Sequence, residues 1–165
     1  MLCMARNKTS KEVYLLLHNI RSIHNVGSIF RTADAAGVTK IYLTGYTPTP
    51  LDRFGRPVPE LSKVALGGEQ SVAWEYKKNP RMLIIALKKQ SFHIIGLEQD
   101  PRSIDYKKVK LQSPLLMIVG NEVGGISKSL LSKCDTIIEI PMRGMKESLN
   151  VAVSCGIALF RILHI

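Results

Sequence analysis

Residues 138–162 read IEIPMRGMKESLNVAVSCGIALFRI. An apolar run typical of a strand stops at Pro141, a loop containing Met, Arg and Gly follows, and a segment of small and apolar residues begins at Ser148. Ser148 is predicted to cap a final helix, with Asn150 in its first turn. That helix is apolar nearly all round, which predicts burial in the core or in a subunit interface. The polar Ser-Leu-Asn triplet at its start indicates a ligand-binding position.

Apolar runs elsewhere in the chain alternate with capped helical patterns, which predicts the α/β class. Strands are expected at about 13–17, 41–43, 92–97, 115–119 and 136–140, and helices at about 26–36, 79–90 and 127–133. Residues 46–78 are rich in proline and glycine and are predicted to form a functional loop with a helical turn near 61–66. The strands are continuously apolar, which indicates a mostly parallel sheet covered on both faces. Ligands of such sheets bind beyond the carboxyl ends of the strands.

The chain has 165 residues, which predicts one domain spanning 1–165. Its net charge of +10 favours a polyanionic partner, with nucleic acid first and an acidic membrane surface second. A basic protein without such a partner is the remaining alternative. The apolar runs are too short for a signal peptide or a membrane span, so a cytoplasmic location is expected.

Cysteine and histidine spacing argues against a disulfide framework or a metal site. Three cysteines lie far apart without a CxxC pair, and four histidines show no HxxxH or HExxH arrangement. We therefore expect reduced thiols and no metal. The residues concerned are Cys3, Cys134, Cys155, His18, His24, His93 and His164.

Two further stretches could carry chemistry. Residues 19–37, NIRSIHNVGSIFRTADAAG, form a helical pattern in which Asn25 could cap the helix and Gly27 allows close approach to its first turn. Arg31 and Asp34 point away from its apolar face. Residues 117–127, MIVGNEVGGIS, end a buried strand in a glycine-rich turn that is neither a P-loop nor GxGxxG. By itself, each stretch is also compatible with an ordinary helix or turn, and Ser148 with a plain cap.

Taken in order, these three stretches resemble the SpoU (TrmH-like) family of SPOUT RNA methyltransferases over about residues 11–163. The segment KVALGGEQSV at 63–72 is also similar to a family element. The resemblance implies a parallel α/β sheet with a C-terminal trefoil knot, and a homodimer formed through the C-terminal helix and the helix of the first motif. It implies transfer of a methyl group from S-adenosylmethionine to a ribose 2′-hydroxyl of tRNA or rRNA.

The resemblance also implies the residues of the site. Cofactor contacts are expected from three loops and the start of the last helix, namely Leu97, Glu98, Val119, Gly120, Asn121, Glu122, Gly125, Ile140, Pro141, Met142, Ser148, Leu149 and Asn150. Catalytic residues are expected at Asn25, Arg31, Glu122, Ser148 and Asn150. Arg31 is expected to bind an RNA phosphate and support the developing alkoxide, since guanidinium is a poor base. Further phosphate contacts are expected at Arg21, Arg53, Arg56, Arg143 and Lys146.

Two other functions remain open at this point. One is an RNA-binding protein that keeps the fold but has lost catalysis. The other is a nucleotide- or flavin-binding α/β enzyme that acts on a small molecule, although the charge and the lack of a dinucleotide fingerprint disfavour it.

Overall fold

A computed structural model describes residues 12–110 and 112–165, so Cys3 lies outside the described residues. The described strands are β1 Val13–His18, β2 Lys40–Thr44, β3 Ala73–Lys77, β4 His93–Leu97, β5 Ile104–Asp105, β6 Leu115–Val119 and β7 Thr136–Glu139. The helices are α1 Ile23–Ala36, α2 Pro59–Ala65, α3 Gly68–Ser71, α4 Pro80–Lys89, α5 Lys128–Leu131 and α6 Val151–Leu163, with a 3₁₀ turn at Tyr106–Lys108.

The described strands form one seven-stranded sheet in the order β3-β2-β1-β6-β4-β7-β5. Every pair of neighbouring strands is parallel. The predicted α/β class and parallel sheet are therefore confirmed. The trefoil knot and the extent of the domain over 1–165 stay predictions.

The sheet is covered on both faces, which explains its continuously apolar strands. Leu15 and Leu17 of β1 pack in the cluster that includes α1, α2 and α6, whereas Leu16 packs in the cluster that includes α4 and α5. Side chains alternate between the two faces of a strand, so burial of both faces requires an apolar residue at each position.

Helix α1 begins three residues earlier than the pattern predicted. Ser22, not Asn25, is the N-cap, since its side chain accepts a hydrogen bond from the Asn25 N–H at 3.3 Å. The helix ends at Gly37 as predicted. A Cβ on Gly27 would lie 2.9 Å from Cβ of Val64, so the close approach predicted there is made by the residues of α2.

Two further predictions are corrected by the structure. Residues 46–78 hold α2, α3 and β3, which is more regular structure than the single helical turn expected. The last helix is capped by Asn150, whose side chain accepts from the N–H groups of Ala152 and Val153, and not by Ser148. Helix α4 agrees with its prediction, because Asn79 caps it through the N–H of Met82 at 3.2 Å.

Candidate active site

The candidate site lies beyond the carboxyl ends of four adjacent strands. Strands β1, β6, β4 and β7 are neighbours in the sheet, and their chains continue into residues 19–22, 120–127, 98–103 and 140–150. All strands run in the same direction, so these four segments meet at one edge of the sheet. Three of the four segments contain the motifs singled out in the sequence.

Between the last three of these segments lies a cavity of about 540 Å³, a volume ordinary for a small-molecule site. Twelve of the thirteen residues predicted to contact the cofactor line it, all except Pro141. Six further residues also line it and were not predicted: Gln99, Val123, Glu139, Glu147, Val151 and Ser154.

The turn after β6 forms one wall of the cavity and is held by its own backbone. Asn121 and Gly125 exchange two hydrogen bonds, N–H to carbonyl, at 3.1 and 2.9 Å. The Asn121 side-chain oxygen accepts from the N–H groups of Val123 and Gly124 at 3.0 and 2.7 Å. The backbone at Gly120 passes close to the backbone at Gly125. A Cβ on Gly120 would lie 2.5 Å from the Gly125 carbonyl oxygen, so this close approach requires glycine.

Two carboxylates fasten the loops to one another. Glu98 accepts the Ile126 N–H at 2.7 Å and thereby joins the segment after β4 to the turn after β6. The Gln99 side-chain amide donates to the Glu147 carbonyl at 2.7 Å and reaches the segment after β7. Glu122 accepts the N–H groups of Arg21 and Ser22 at 2.9 and 3.0 Å, which fixes the segment before α1.

Glu122 also begins a chain of polar side chains at the rim of the cavity. The Asn25 amide donates to Glu122 at 2.9 Å, and the Asn150 amide donates to the Asn25 oxygen at 3.0 Å. Burial raises the pKa of Glu122, but the hydrogen bonds from Arg21, Ser22 and Asn25 outweigh it and hold the pKa below its usual range. Glu122 is therefore an ionised acceptor that orders the motifs at neutral pH.

A second, shallower cavity of about 280 Å³ adjoins the first. Arg21, Ser22 and Asn25 line it, and Glu122 and Val123 line both cavities. Three of the five predicted catalytic residues, Asn25, Glu122 and Asn150, thus stand together in one hydrogen-bonded chain.

The other predicted residues are distributed differently. Ser148 lines the larger cavity and is exposed. Arg31 lies on the exposed surface of α1 and lines neither cavity within the single chain. The remaining predicted phosphate contacts are also exposed, and Arg21 alone among them lines a cavity.

Charge distinguishes the larger cavity from the rest of this basic protein. Among the described residues that line it, four are glutamates and none is Lys or Arg. Such a lining suits a ligand that carries positive charge, and it is unfavourable for the phosphates of a dinucleotide. The sulfonium and amino groups of S-adenosylmethionine are positively charged and fit this acidic lining.

Comparison with known proteins places the chain in a family. Residues 12–160 match the model of the SpoU rRNA methylase family. The chain belongs to the SpoU rRNA methylase family. It is 31% identical over 153 residues to the tRNA (guanosine(18)-2′-O)-methyltransferase of Aquifex aeolicus, covering 93% of this chain and 69% of that protein. It is 35% identical to the 23S rRNA (guanosine-2′-O-)-methyltransferase RlmB of Nitrosomonas europaea, covering 92% of this chain and 56% of that one.

Solved structures of SpoU proteins share the fold. The TrmH/SpoU tRNA modifying enzyme of A. aeolicus superimposes with a TM-score of 0.81 at 28% identity, over 93% of this chain and 75% of that chain. The AdoMet-bound rRNA methyltransferase of Sinorhizobium meliloti gives a TM-score of 0.80 at 28% identity, over 92% and 55% of the two chains. The chain thus spans between about half and three quarters of the length of these relatives.

Absences among the described residues add two findings. No helix of 12–110 or 112–165 is long and apolar enough to cross a membrane. Within the same residues, no three His, Cys, Asp or Glu side chains gather as metal ligands would.

Burial raises the pKa of the Cys155 thiol to about 12 and that of the Cys134 thiol to about 11.

Proposed function

We propose that the chain is a methyltransferase that uses S-adenosylmethionine to methylate a ribose 2′-hydroxyl of tRNA or rRNA. The observation that carries the proposal is the acidic cavity at the carboxyl edge of the sheet, which is lined by the second and third motifs and by the segment after β4, in a chain that matches the family model. The relatives named above methylate guanosine 2′-hydroxyls in tRNA or rRNA, which supports the same substrate class here.

The residues that would hold the cofactor are the twelve predicted ones that line the larger cavity, together with the six additional lining residues. When bound, S-adenosylmethionine supplies an electrophilic methyl group on a sulfonium. The chain itself must then place the ribose oxygen in line with that group and assist loss of its proton. The smaller cavity, which shares Glu122 and Val123 with the larger one, is the place we assign to the ribose.

Each polar residue of the rim has a distinct proposed role. Glu122 accepts hydrogen bonds from the segment before α1 and from the Asn25 side-chain NH₂ group, and so orients Asn25. The Asn25 side-chain oxygen in turn accepts a hydrogen bond from the Asn150 side-chain NH₂ group. Both oxygens of Glu122 already accept N–H groups, so we assign it positioning and not proton abstraction. Ser148 borders the cavity with its hydroxyl and contributes a contact to the cofactor or the ribose.

We further propose a homodimer in which α1 and α6 form the interface. Helix α6 packs on α1 and buries Cys155 and Ala158, yet it leaves Val153, Ile157 and Phe160 between 38% and 50% exposed. A second copy would cover this apolar face. Arg31 lies exposed on α1 and outside both cavities of its own chain, so we assign it to the cavity of the second copy, where it binds an RNA phosphate.

Calorimetric titration of the purified protein with S-adenosylmethionine, FAD and NAD tests the cofactor class. The acidic lining predicts saturable binding of S-adenosylmethionine alone. Binding of a dinucleotide instead would support the small-molecule enzyme. Cofactor binding without any turnover on RNA would support an RNA-binding protein that has lost catalysis. A cytoplasmic location accords with an RNA substrate and stays a prediction.

A further inference from the structure

An exposed turn between β2 and α2 carries an aromatic ring flanked by two arginines. Leu51 and Pro57 form an antiparallel bridge across its base. At its tip, the guanidinium carbons of Arg53 and Arg56 lie 4.7 and 4.9 Å from the centre of the Phe54 ring. Phe54 is 65% exposed. The Phe54 ring is thus presented to solvent with a guanidinium group near it on either side in the sequence.

Asp52 organises this turn. Its carboxylate accepts the N–H groups of Phe54 and Arg56 at 2.8 and 3.0 Å. It also pairs with the Arg56 guanidinium, with Nε 2.9 Å from Oδ2. The Asp52 N–H donates to the Arg56 carbonyl at 2.8 Å, and the Gly55 N–H donates to the Asp52 carbonyl at 3.0 Å. The platform is therefore preorganised, so little conformational entropy would be lost when a ligand binds it.

The two arginines differ in their partners. Arg56 is neutralised by Asp52 at 2.9 Å. Arg53 has no carboxylate partner among the described residues and contacts the Phe54 ring. The turn thus offers a flat aromatic and guanidinium surface together with one uncompensated positive charge. That combination matches a nucleotide, which has a base to stack and a phosphate to pair.

The segment that leads into this turn contacts the candidate active site at Tyr46, five residues before Leu51. The Tyr46 hydroxyl accepts a hydrogen bond from the Asn121 amide at 3.0 Å. Asn121 lines the larger cavity. The segment that carries the turn therefore leaves the sheet at the rim of the cavity, on the edge where a substrate would arrive.

We propose that residues 51–57 clamp an unpaired nucleotide of the RNA substrate, with its base stacked on Phe54 and its phosphate paired with Arg53. The clamp rests on the proposed function, since it serves the RNA that the site would methylate. It specifies the substrate further, because bases inside a duplex are already stacked and cannot reach the ring. The target nucleotide therefore has a single-stranded neighbour.

Fluorescence anisotropy with labelled oligouridine tests the clamp without requiring catalysis. Phe54→Ala is expected to weaken binding roughly 5- to 100-fold, and Phe54→Tyr is expected to restore it. Met82→Ala is the matched control, because Met82 is 61% exposed on α4, whose buried residues pack on the opposite face of the sheet from α1. An unchanged affinity in Phe54→Ala, or an equal loss in Met82→Ala, would overturn the proposal.

Salt dependence separates the two parts of the clamp. Arg53→Ala is expected to reduce the slope of log affinity against log salt by about 0.7, the value for one phosphate on a single strand. Phe54→Ala is expected to leave the slope unchanged, since stacking releases no counterions. Tighter binding of the wild type to a uridine–adenosine duplex than to oligouridine would contradict the single-strand preference.

The same variants distinguish failure of the clamp from failure of the proposed function. Methyl transfer by the wild type with an unaltered KM for RNA in Phe54→Ala would overturn the clamp alone. Oligouridine binding that depends on Phe54, in a protein without methyl transfer, would support the clamp and count against the proposed function. A change in sedimentation of Phe54→Ala, with RNA affinity unaltered, would assign the turn to a protein contact and overturn the proposal.

Discussion

At the scale of single residues, the Glu122 carboxylate does the most to join the motifs. It binds the first motif through two backbone N–H groups and one side-chain amide, although it follows the first motif by about a hundred residues. Its position directly after the turn residue Asn121 ties the orientation of this carboxylate to the geometry of the glycine-rich turn.

Glu122→Gln is expected to lower the free energy of unfolding at pH 7 by about 1 kcal/mol or less, because solvent screens an exposed carboxylate. The folded-state pKa of Glu122 lies below its usual value of 4.5, so its stabilisation is present above that pH and is lost as the pH falls through the folded pKa. Urea titrations at pH 7 and pH 3 should therefore show a difference between wild type and variant that shrinks in acid. Glu60→Gln, an exposed change on α2, is the control. A difference that grows in acid would contradict the assignment.

Arg31→Ala is expected to keep the affinity for S-adenosylmethionine and to lower turnover by about a hundredfold or more. The physical reason is the loss of a fixed cation near the developing alkoxide and the RNA phosphate. Calorimetry measures the affinity for S-adenosylmethionine, and initial rates of methyl transfer measure turnover. Arg81→Ala, an exposed change on α4, should alter neither. Loss of cofactor binding in Arg31→Ala would refute the assigned role.

At the scale of elements, the turn after β6 and the start of α6 fix the cavity. Gly120→Ala is expected to destabilise the protein by about 2 kcal/mol, because the new Cβ would meet the backbone of Gly125, which has little room to move. Gly124→Ala is the matched control, since the nearest atom to its Cβ would be 3.5 Å away. Thermal unfolding of both variants measures the difference. Equal stability of the Gly120→Ala and Gly124→Ala variants would show that the contact between Gly120 and Gly125 is not tightly packed.

Asn150→Ala should cost about 1 kcal/mol, since it removes the cap of α6. Ser148→Ala should leave stability nearly unchanged, because Ser148 caps no helix in the structure. Urea unfolding of the two variants separates them. A larger loss of unfolding free energy in Ser148→Ala than in Asn150→Ala would indicate that Ser148 caps the helix, as the sequence predicted.

Local patterns predicted the elements whose determinants are themselves local. Helix α4 carries its own cap at Asn79 and its own apolar face, and β1 and β6 are buried on both sides. Strand β3 was missed because it is an edge strand with a half-exposed pattern, AWEYK, and the two residues of β5 carry no signal. The capping role of Asn150 depends on how the chain enters the helix, which the sequence does not encode in an obvious way.

The candidate site follows the same division. The resemblance to the SpoU family implied its residues, whereas the pattern alone singled out only the glycine-rich turn after β6 and the polar triplet before α6 as candidate ligand positions. Gln99, Glu139 and Ser154 reach the cavity only through the order of the strands and the approach of α6, so no local signal marks them. The local pattern placed Arg31 off the apolar face of α1, but it could not show that Arg31 lies outside both cavities of its own chain.

At the scale of the whole molecule, the proposed function depends on the distribution of charge and on the proposed dimer. The arginines and the lysine assigned to RNA are exposed, whereas four glutamates and no Lys or Arg line the larger cavity, which would separate RNA docking from cofactor binding. The apolar face of α6 would bring two cavities into one assembly.

Phe160→Asp is expected to convert the dimer into a species of 18.4 kDa in sedimentation, because it places a charge in the apolar face of α6. Met82→Asp, at an exposed position of α4, should leave the assembly intact. A wild type that sediments as 18.4 kDa at micromolar concentration would refute the dimer.

Mixing inactive Arg31→Ala with inactive Asn150→Ala should restore about a quarter of wild-type methyl transfer. Half of randomly exchanged dimers are mixed, and each mixed dimer has one intact site if Arg31 serves the opposite cavity. Initial rates after subunit exchange measure the recovery. Lack of recovery, with mixed dimers demonstrated by tagging, would place Arg31 at its own cavity.

The most direct test of the proposed function is methyl transfer itself. The protein would be incubated with labelled S-adenosylmethionine and separate pools of unmodified tRNA and rRNA, and the RNA digested to nucleosides. We expect label in 2′-O-methylated nucleosides from one pool, which would also select between tRNA and rRNA. Label on a base, or no label in either pool despite RNA and cofactor binding, would contradict ribose methylation by this chain.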